Sequence, residues 1–415
     1  MKNEFTNNDV SAAIIRNHSA WRSFVLDNKF LRNWRPTKIA VKDPRCESFN
    51  RSIDPTGWIK NCRLRTNEDE EGEEWQTEPI QGQLKGIGED TLIIGVYVDD
   101  LLITGGCSEA VKGVKKKMEE RFEMTDLGLL SYYLGIQVTQ THQGIKLQQT
   151  NYADKILVDA GLHDCNATKF PMEPGLKLTK DDVSEEADAT QFRKWVGCLR
   201  YLTHTRPDLS YSVGYVSRFM QAPRQIHVQA LKQILRYLKG TTKLGLMYQR
   251  GASGGLLGYS DSSFSADRDD GKSTTGMIFF YGSRPITWNS QKQATVALSS
   301  CEAEFMVAST AACQAIWLRG LLAEITGKAE VQVEILVDNK SAIALIKIPV
   351  FHGRSKHIDT RYHFIRESVE KEKIRIEYVC GEEQRADILT KALPRLKFEE
   401  MKSKLGLKEM SSLGG

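Results

Sequence analysis

The chain has 415 residues, 40% hydrophobic and 27% charged, which supplies apolar material for two or three compact domains and excludes a chiefly disordered polypeptide. Its 57 basic and 53 acidic residues leave a formal charge of +4, which permits nucleic-acid binding without arguing for it. Eight cysteines without CxxC spacing disfavour a zinc site and a disulfide framework, and no signal core or bilayer-length apolar stretch is evident, so a reducing cytosolic or nuclear location without a membrane partner is expected.

Residues 1 to about 65 are basic and poorly periodic, with Trp21, Trp34 and Trp58 among Arg and Asn, and they support no domain assignment. The run from Asn67 to Glu74 is a like-charge block that repels itself and reads as a solvated linker. From Thr91 the stretch TLIIGVYVDDLLITG sets two β-rich apolar runs either side of Asp99 and Asp100, a buried hairpin with two carboxylates at its turn. Val111, Val114, Met118 and Phe122 recur at helical spacing behind a capping Ser108. A second hairpin is expected over 132–149, turning at Gln143-Gly144. Residues 151–250 are more helical; Val228, Leu231, Leu235 and Leu238 form one stripe ending at Gly240, and 179–189 is a polar surface connection.

The remaining third alternates legibly. Strands are expected near 255–263, 274–281 and 285–289, then a helix over about 300–325 opened by a Ser299/Glu302 capping box. VQVEILVD is a strand leading into a helix near Asn339; another helix spans about 361–372, IRIEYVC is a strand, and a last helix starts near Arg385. This order describes a mixed sheet covered by helices.

Four acids fall at suggestive places in that order. Asp261 lies in the first strand, Asp338 closes the fourth, Glu304 lies one turn into the long helix in line with Ala308, Ala311 and Ala315, and Asp387 begins the last helix. Singly, Asp338 and Asp387 read equally as helix-start residues, Glu304 as a first-turn glutamate and Asp261 as an exposed acid. Together, on ordered elements, they form a set that two Mg²⁺ ions could use to cleave a phosphodiester.

The segments GYSDSSFSADRDDGKSTTGMIFFYGSRPITW, SSCEAEFMVAS, ILVDNKSAI, KHIDTRYHFIRE and EEQRADILTKAL resemble the RNase H blocks of copia-type long-terminal-repeat retrotransposons. The resemblance implies that Asp261, Glu304, Asp338 and Asp387 bind two Mg²⁺ ions and that the RNA strand of an RNA·DNA hybrid is hydrolysed by in-line attack of a metal-activated water. It also implies contacts to the 2′-hydroxyl, with Arg354 and Lys356 as candidate phosphate contacts. His357 and His363 read as structural or surface residues rather than proton carriers.

Upstream, Tyr97-Val98-Asp99-Asp100 is similar to the palm hairpin of a reverse transcriptase, which would make Asp99 and Asp100 catalytic metal ligands; YYLGIQV, PMEPGLKL, LRYLTHTRPDLSYSVGYVSRFMQAP and ILRYLKGT are similar to the segments that follow it. The family's other palm aspartate and its fingers subdomain have no counterpart in residues 1–90, where Asp27, Asp43 and Asp54 lack strand-like flanks. The expected architecture is therefore α/β (α+β): an unassigned segment (1–90), a partial reverse-transcriptase palm with a helical connection (91–250), an RNase H-like mixed five-stranded sheet flanked by helices (251–396) and a tail (397–415). The expected function is that of a truncated copia-type reverse transcriptase/RNase H, acting on RNA·DNA hybrid, RNA and DNA, and not polymerising alone. The alternative is a catalytically silent relic or a recruited nucleic-acid-binding module.

Overall fold

The computed structural model describes residues 11–15, 81–85, 92–97, 100–120, 124–251, 254–347 and 359–409. The chain divides into two compact units, one drawn from residues 1–134, 138–143 and 317–331, the other from 135–137, 144–316 and 332–415.

In the first unit, β1 (Ser11–Ile15), β2 (Gln81–Lys85), β3 (Leu92–Tyr97), β4 (Asp100–Gly105) and β5 (Met124–Leu129) form a sheet in the order β2-β3-β4-β1-β5, every neighbouring pair antiparallel. Leu92 and Ile94 in β3 and Leu101 and Ile103 in β4 are buried, the period-two burial that makes these runs strands. The expected hairpin is present, with Asp100 as the first residue of β4, paired to Tyr97; Asp99 lies outside the described residues. The helix α1 (Ser108–Glu119) starts at Ser108, so Cys107 takes the cap position and Ser108 does not cap. Lys115 Nζ is 2.8 Å from Asp126 Oδ1, tying α1 to β5. Within the segment left unassigned by sequence, the strand β1 lies against β4. Its register sets Ile14 opposite Asp100, and its five residues, Ser-Ala-Ala-Ile-Ile, include no acid.

Next along the chain come β6 (Tyr132–Tyr133), β7 (Ile136–Thr141) and β8 (Gly144–Gln148). The turn between β7 and β8 is His142-Gln143, one residue earlier than expected, because Gly144 already begins β8. The helices α2 (Thr150–Asp159), α3 (Ala189–Leu202), α4 (Ser210–Val216) and α5 (Gln225–Lys239) follow, then β9 (Leu244–Gln249). Asp188 caps α3, its carboxylate accepting the N–H groups of Thr190 and Gln191. The stripe on α5 faces inward and Gly240 is its carboxyl-terminal cap, both as expected; the glycine's φ is −78°, and a Cβ there would come 2.9 Å from Ala167 Cβ. Close approach, not conformational freedom, selects glycine.

The second sheet contains β10 (Leu256–Ser263), β11 (Thr274–Tyr281), β12 (Arg284–Lys292), β13 (Val333–Val337) and β14 (Ile374–Tyr378), in the order β12-β11-β10-β13-β14. The first three strands form an antiparallel meander, whereas β10, β13 and β14 run parallel. This is the expected RNase H-like mixed sheet. Between its strands come α6 (Ser300–Thr326), α7 (Lys340–Lys347) and α8 (Asp359–Glu370). By length and composition α6 is apolar enough to cross a membrane, contrary to expectation, but 56% of its apolar window is buried within the protein. The burial is concentrated in its first half, where every residue from Glu302 to Ala312 is buried.

The carboxyl-terminal segment departs from the sequence reading twice. Residues Arg385–Leu389 form a short 3₁₀ turn, and the last helix, α9, is Arg395–Lys404. A helix continuing from 385 would carry Pro394 in its interior, losing a hydrogen bond and clashing with the preceding turn. Nor are residues 397–409 a tail: Phe398 and Met401 are buried, and β15 (Leu407–Glu409) pairs antiparallel with β9.

One hydrophobic core runs through the second unit. Leu157 of α2, Leu199 of α3, Val213 of α4 and Leu235 of α5 share it with Ile278 and Phe280 of the sheet, Ile388 of the 3₁₀ turn and Met401 of α9. The helical connection and the RNase H-like sheet, expected to divide at 250/251, are thus packed as one body.

Candidate metal centre

The sheet topology brings two acids to one end. Asp261 lies near the end of β10, and β13 runs parallel beside it with Val337 paired to Ser260, so the next residue, Asp338, leaves the sheet at the same edge. Glu304 arrives from α6. That helix opens with half of the expected capping box: Ser299 Oγ accepts the Glu302 N–H at 3.1 Å, but the Glu302 carboxylate accepts the N–H of Leu298, one residue before the cap, at 2.8 Å. Fully buried Ala308, Ala311 and Ala315 let the helix lie close, and Glu304 Oε1 accepts the Ser262 N–H at 2.9 Å. Oxygens of Asp261, Glu304 and Asp338 consequently all lie within 4.8 Å of one another.

Asp387 reaches the set from the 3₁₀ turn, beside rather than among these three. It is ion-paired with Lys391, whose Nζ is 2.8 Å from Asp387 Oδ1 and 3.9 Å from Asp261 Oδ2. Thr390 donates its hydroxyl to Asp261 Oδ2. The turn can sit so close because position 276, paired to Asp261 across the sheet, is glycine: a Cβ there would press on Thr390 Cγ2 and come 3.0 Å from the Ala386 carbonyl. Gln384, wholly buried, fastens the turn by donating to the Ser260 carbonyl at 3.0 Å.

The electrostatics are those of crowded acids removed from water. Burial, and then the charges of Asp261 and Asp338, push the Glu304 carboxyl up to about 9. Burial and Asp261 raise Asp338 as well, and burial and Asp261 take Asp387 up to about 7 against the opposing pull of Lys391. Burial would lower Lys391, but Asp261 and the ion pair with Asp387 override it and its pKa is raised. Glu304 Oε2 is buried with no hydrogen-bond partner. An all-oxygen set, with Glu304 Oε2 left over and too much negative charge to ionise fully, fits a hard divalent cation such as Mg²⁺.

The sequence-predicted residues therefore separate into groups. Asp261, Glu304 and Asp338 come together, with Asp387 adjoining; Asp100 belongs to the first unit; Asp99, Arg354, Lys356 and His357 lie outside the described residues; His363 is exposed beside Tyr362. Sequence reasoning missed Lys391, Thr390 and Gly276. Lys391 carried one usable signal, its position four residues after Asp387.

Comparison with known proteins gives the centre its context. Residues 72–174 match the reverse transcriptase (RNA-dependent DNA polymerase) family. The chain is 38% identical over 320 residues to the retrovirus-related Pol polyprotein from transposon RE1 of Arabidopsis thaliana, covering 77% of this chain and 22% of that protein. It is 33% identical over 221 residues to a transposon Ty5-1 protein of Saccharomyces cerevisiae, covering 52% of this chain and 72% of that one. The chain belongs to the copia-type retrotransposon Pol family. A solved RNase H1 in complex with RNA/DNA hybrid is 15% identical, with a TM-score of 0.25, over 33% of this chain and 94% of that one. At that score the likeness adds nothing to what the strand order already says. Within this copia-type Pol chain, which spans about a fifth of the length of the RE1 polyprotein, the acid centre lies beyond the residues matched to the reverse transcriptase family.

Proposed function

We propose that the second unit is a ribonuclease H that cleaves the RNA strand of RNA·DNA hybrids. The observation that carries this reading is the convergence of Asp261, Glu304 and Asp338 within 4.8 Å at one edge of an RNase H-like sheet. These three, with Asp387, would hold Mg²⁺, which when bound supplies an activated water and neutralises the leaving oxygen. The protein's own part is positional. The Ser262 N–H orients Glu304, the Thr390 hydroxyl orients Asp261, and Lys391 restrains Asp387. A labelled RNA·DNA hybrid with Mg²⁺ tests the reading, and Asp338→Asn should lower cleavage at least on the order of a hundredfold. Equal inertness of wild type and variant would refute it; salt-dependent hybrid binding without cleavage would assign a binding module instead.

Gly276→Ala tests the positional role. Pushing Thr390 and the 3₁₀ turn away from β10 should cost roughly 10- to 100-fold in Mg²⁺ affinity, the range for loss of a group that orients a ligand. Gly197→Ala, where a Cβ meets nothing within 4 Å, should leave affinity unchanged. Equal effects at the two positions would remove Gly276 from the account.

For polymerisation we propose no role for this chain alone. Among the described residues, the strand beside β4 offers Ile14 opposite Asp100 and no carboxylate. Robust primer extension by the purified chain would overturn that.

A further inference from the structure

The acids of the centre are not equivalently placed. Asp261, Glu304 and Asp338 face one another, whereas Asp387 faces an ammonium. Lys391 lies against two acids, Asp387 at 2.8 Å and Asp261 at 3.9 Å, on the side of Asp261 where Asp387 adjoins the three-acid set and could hold a second cation with it. Its position is set by the backbone. The N–H groups of Thr390 and Lys391 both donate to the Asp387 carbonyl, at 3.1 and 3.3 Å, and the Thr390 hydroxyl is committed to Asp261. The residue is thus delivered to the cluster by the same turn that delivers Asp387. Its side chain is 47% exposed, so the ammonium has water into which it can withdraw.

We propose, on the basis of the metal-centre reading above, that Lys391 is a built-in occupant of the second cation position. The resting protein then takes one divalent ion into the Asp261–Glu304–Asp338 set, and a second enters only by displacing the lysine. An ammonium supplies one positive charge and needs no stripping of a divalent hydration shell, so it satisfies the outer pair of acids more cheaply than an ion can. The two positions differ in affinity, and the weaker one is set by competition with a side chain of the protein itself.

Mn²⁺ titration of the full chain, followed by the paramagnetic resonance of the free ion, tests this without reference to turnover. Wild type should bind one ion tightly and a second at least about tenfold more weakly, a coupling in the ordinary range for competing sites. Lys391→Met and Lys391→Gln, either of which serves provided it melts cooperatively, should tighten the second ion by about tenfold or more. Lys391→Arg should keep the wild-type pattern. Two ions of equal affinity in wild type, a result that needs no variant, would overturn the proposal. So would a second-ion affinity unchanged in a folded neutral variant. If wild type binds Mn²⁺ no better than Glu304→Gln does, the metal-centre reading itself falls and this inference falls with it.

Discussion

Glu304→Gln should flatten the dependence of stability on pH and abolish stabilisation by Mg²⁺. Glu304 ordinarily titrates near 4.5 and in the folded protein is pushed up to about 9 by burial and by its acidic neighbours. Between those values the folded state holds a proton that the unfolded chain has released. Metal-free stability is therefore fully present below about 4.5 and falls as pH rises towards 9, by up to about 1.4 kcal/mol per unit for one retained proton. Raised Asp338 and Asp387 act in the same direction. A bound divalent ion reverses the sign, because it binds the ionised carboxylates of the folded state alone. Thermal scans of wild type from pH 5 to 8 with chelator should show the midpoint falling by several degrees, and millimolar Mg²⁺ should restore it most at the alkaline end. The amide introduced by Glu304→Gln neither titrates nor binds the ion, so the variant should show a shallower slope and little response to Mg²⁺. An Mg²⁺ response of equal size in both proteins would place the ion elsewhere.

The sequence carried the second sheet well because each part of it is locally encoded. The run TTGMIFFY is β-rich along its length and became β11, and Ser299, accepting the Glu302 N–H, opened α6 at the expected turn. Asp261, Asp338 and Glu304 followed once those elements were in order. What escaped was non-local. The strand β1 is only Ser-Ala-Ala-Ile-Ile, and its partners β4 and β5 lie far along the chain, so no local pattern marks it. The segment RLKFEEMKSK of α9 reads as a charged tail, since only Phe398 and Met401 face inward. Lys391 looks like any solvated lysine until the 3₁₀ turn is folded against β10. Asp387 lies in a 3₁₀ turn instead of the expected helix, because Pro394 breaks a helix that the preceding residues alone would favour.

Asp208→Asn should destabilise the second unit by about 3–5 kcal/mol, the cost of leaving a buried charge without its partner. Arg206 and Asp208 are wholly enclosed and paired through two bonds, Nε to Oδ1 at 2.9 Å and Nη2 to Oδ2 at 2.7 Å. Arg206 also donates to the Thr241 carbonyl and hydroxyl, each at 2.8 Å, and the Tyr237 hydroxyl donates to Asp208 Oδ2 at 2.7 Å. Burial alone would raise the Asp208 carboxyl, but the Arg206 charge and these hydrogen bonds hold it below its ordinary value. Tyr237→Phe, which removes one bond to a charged group, should cost less, about 1.5–3 kcal/mol. The double replacement Arg206→Met with Asp208→Leu should cost less than Asp208→Asn, because neither leaves a charge stranded. The network fastens the 205–209 turn to the end of α5, and α5 shares its core with Ile278, Phe280 and Ile388 beside the metal centre. Helices and sheet should consequently melt together. In a denaturant titration of Asp208→Asn, loss of helical dichroism and release of Mn²⁺ should coincide at one lowered midpoint. Two transitions, with Mn²⁺ still held after the helices have melted, would show that the sheet folds independently and that a boundary near residue 250 is a real division of the protein.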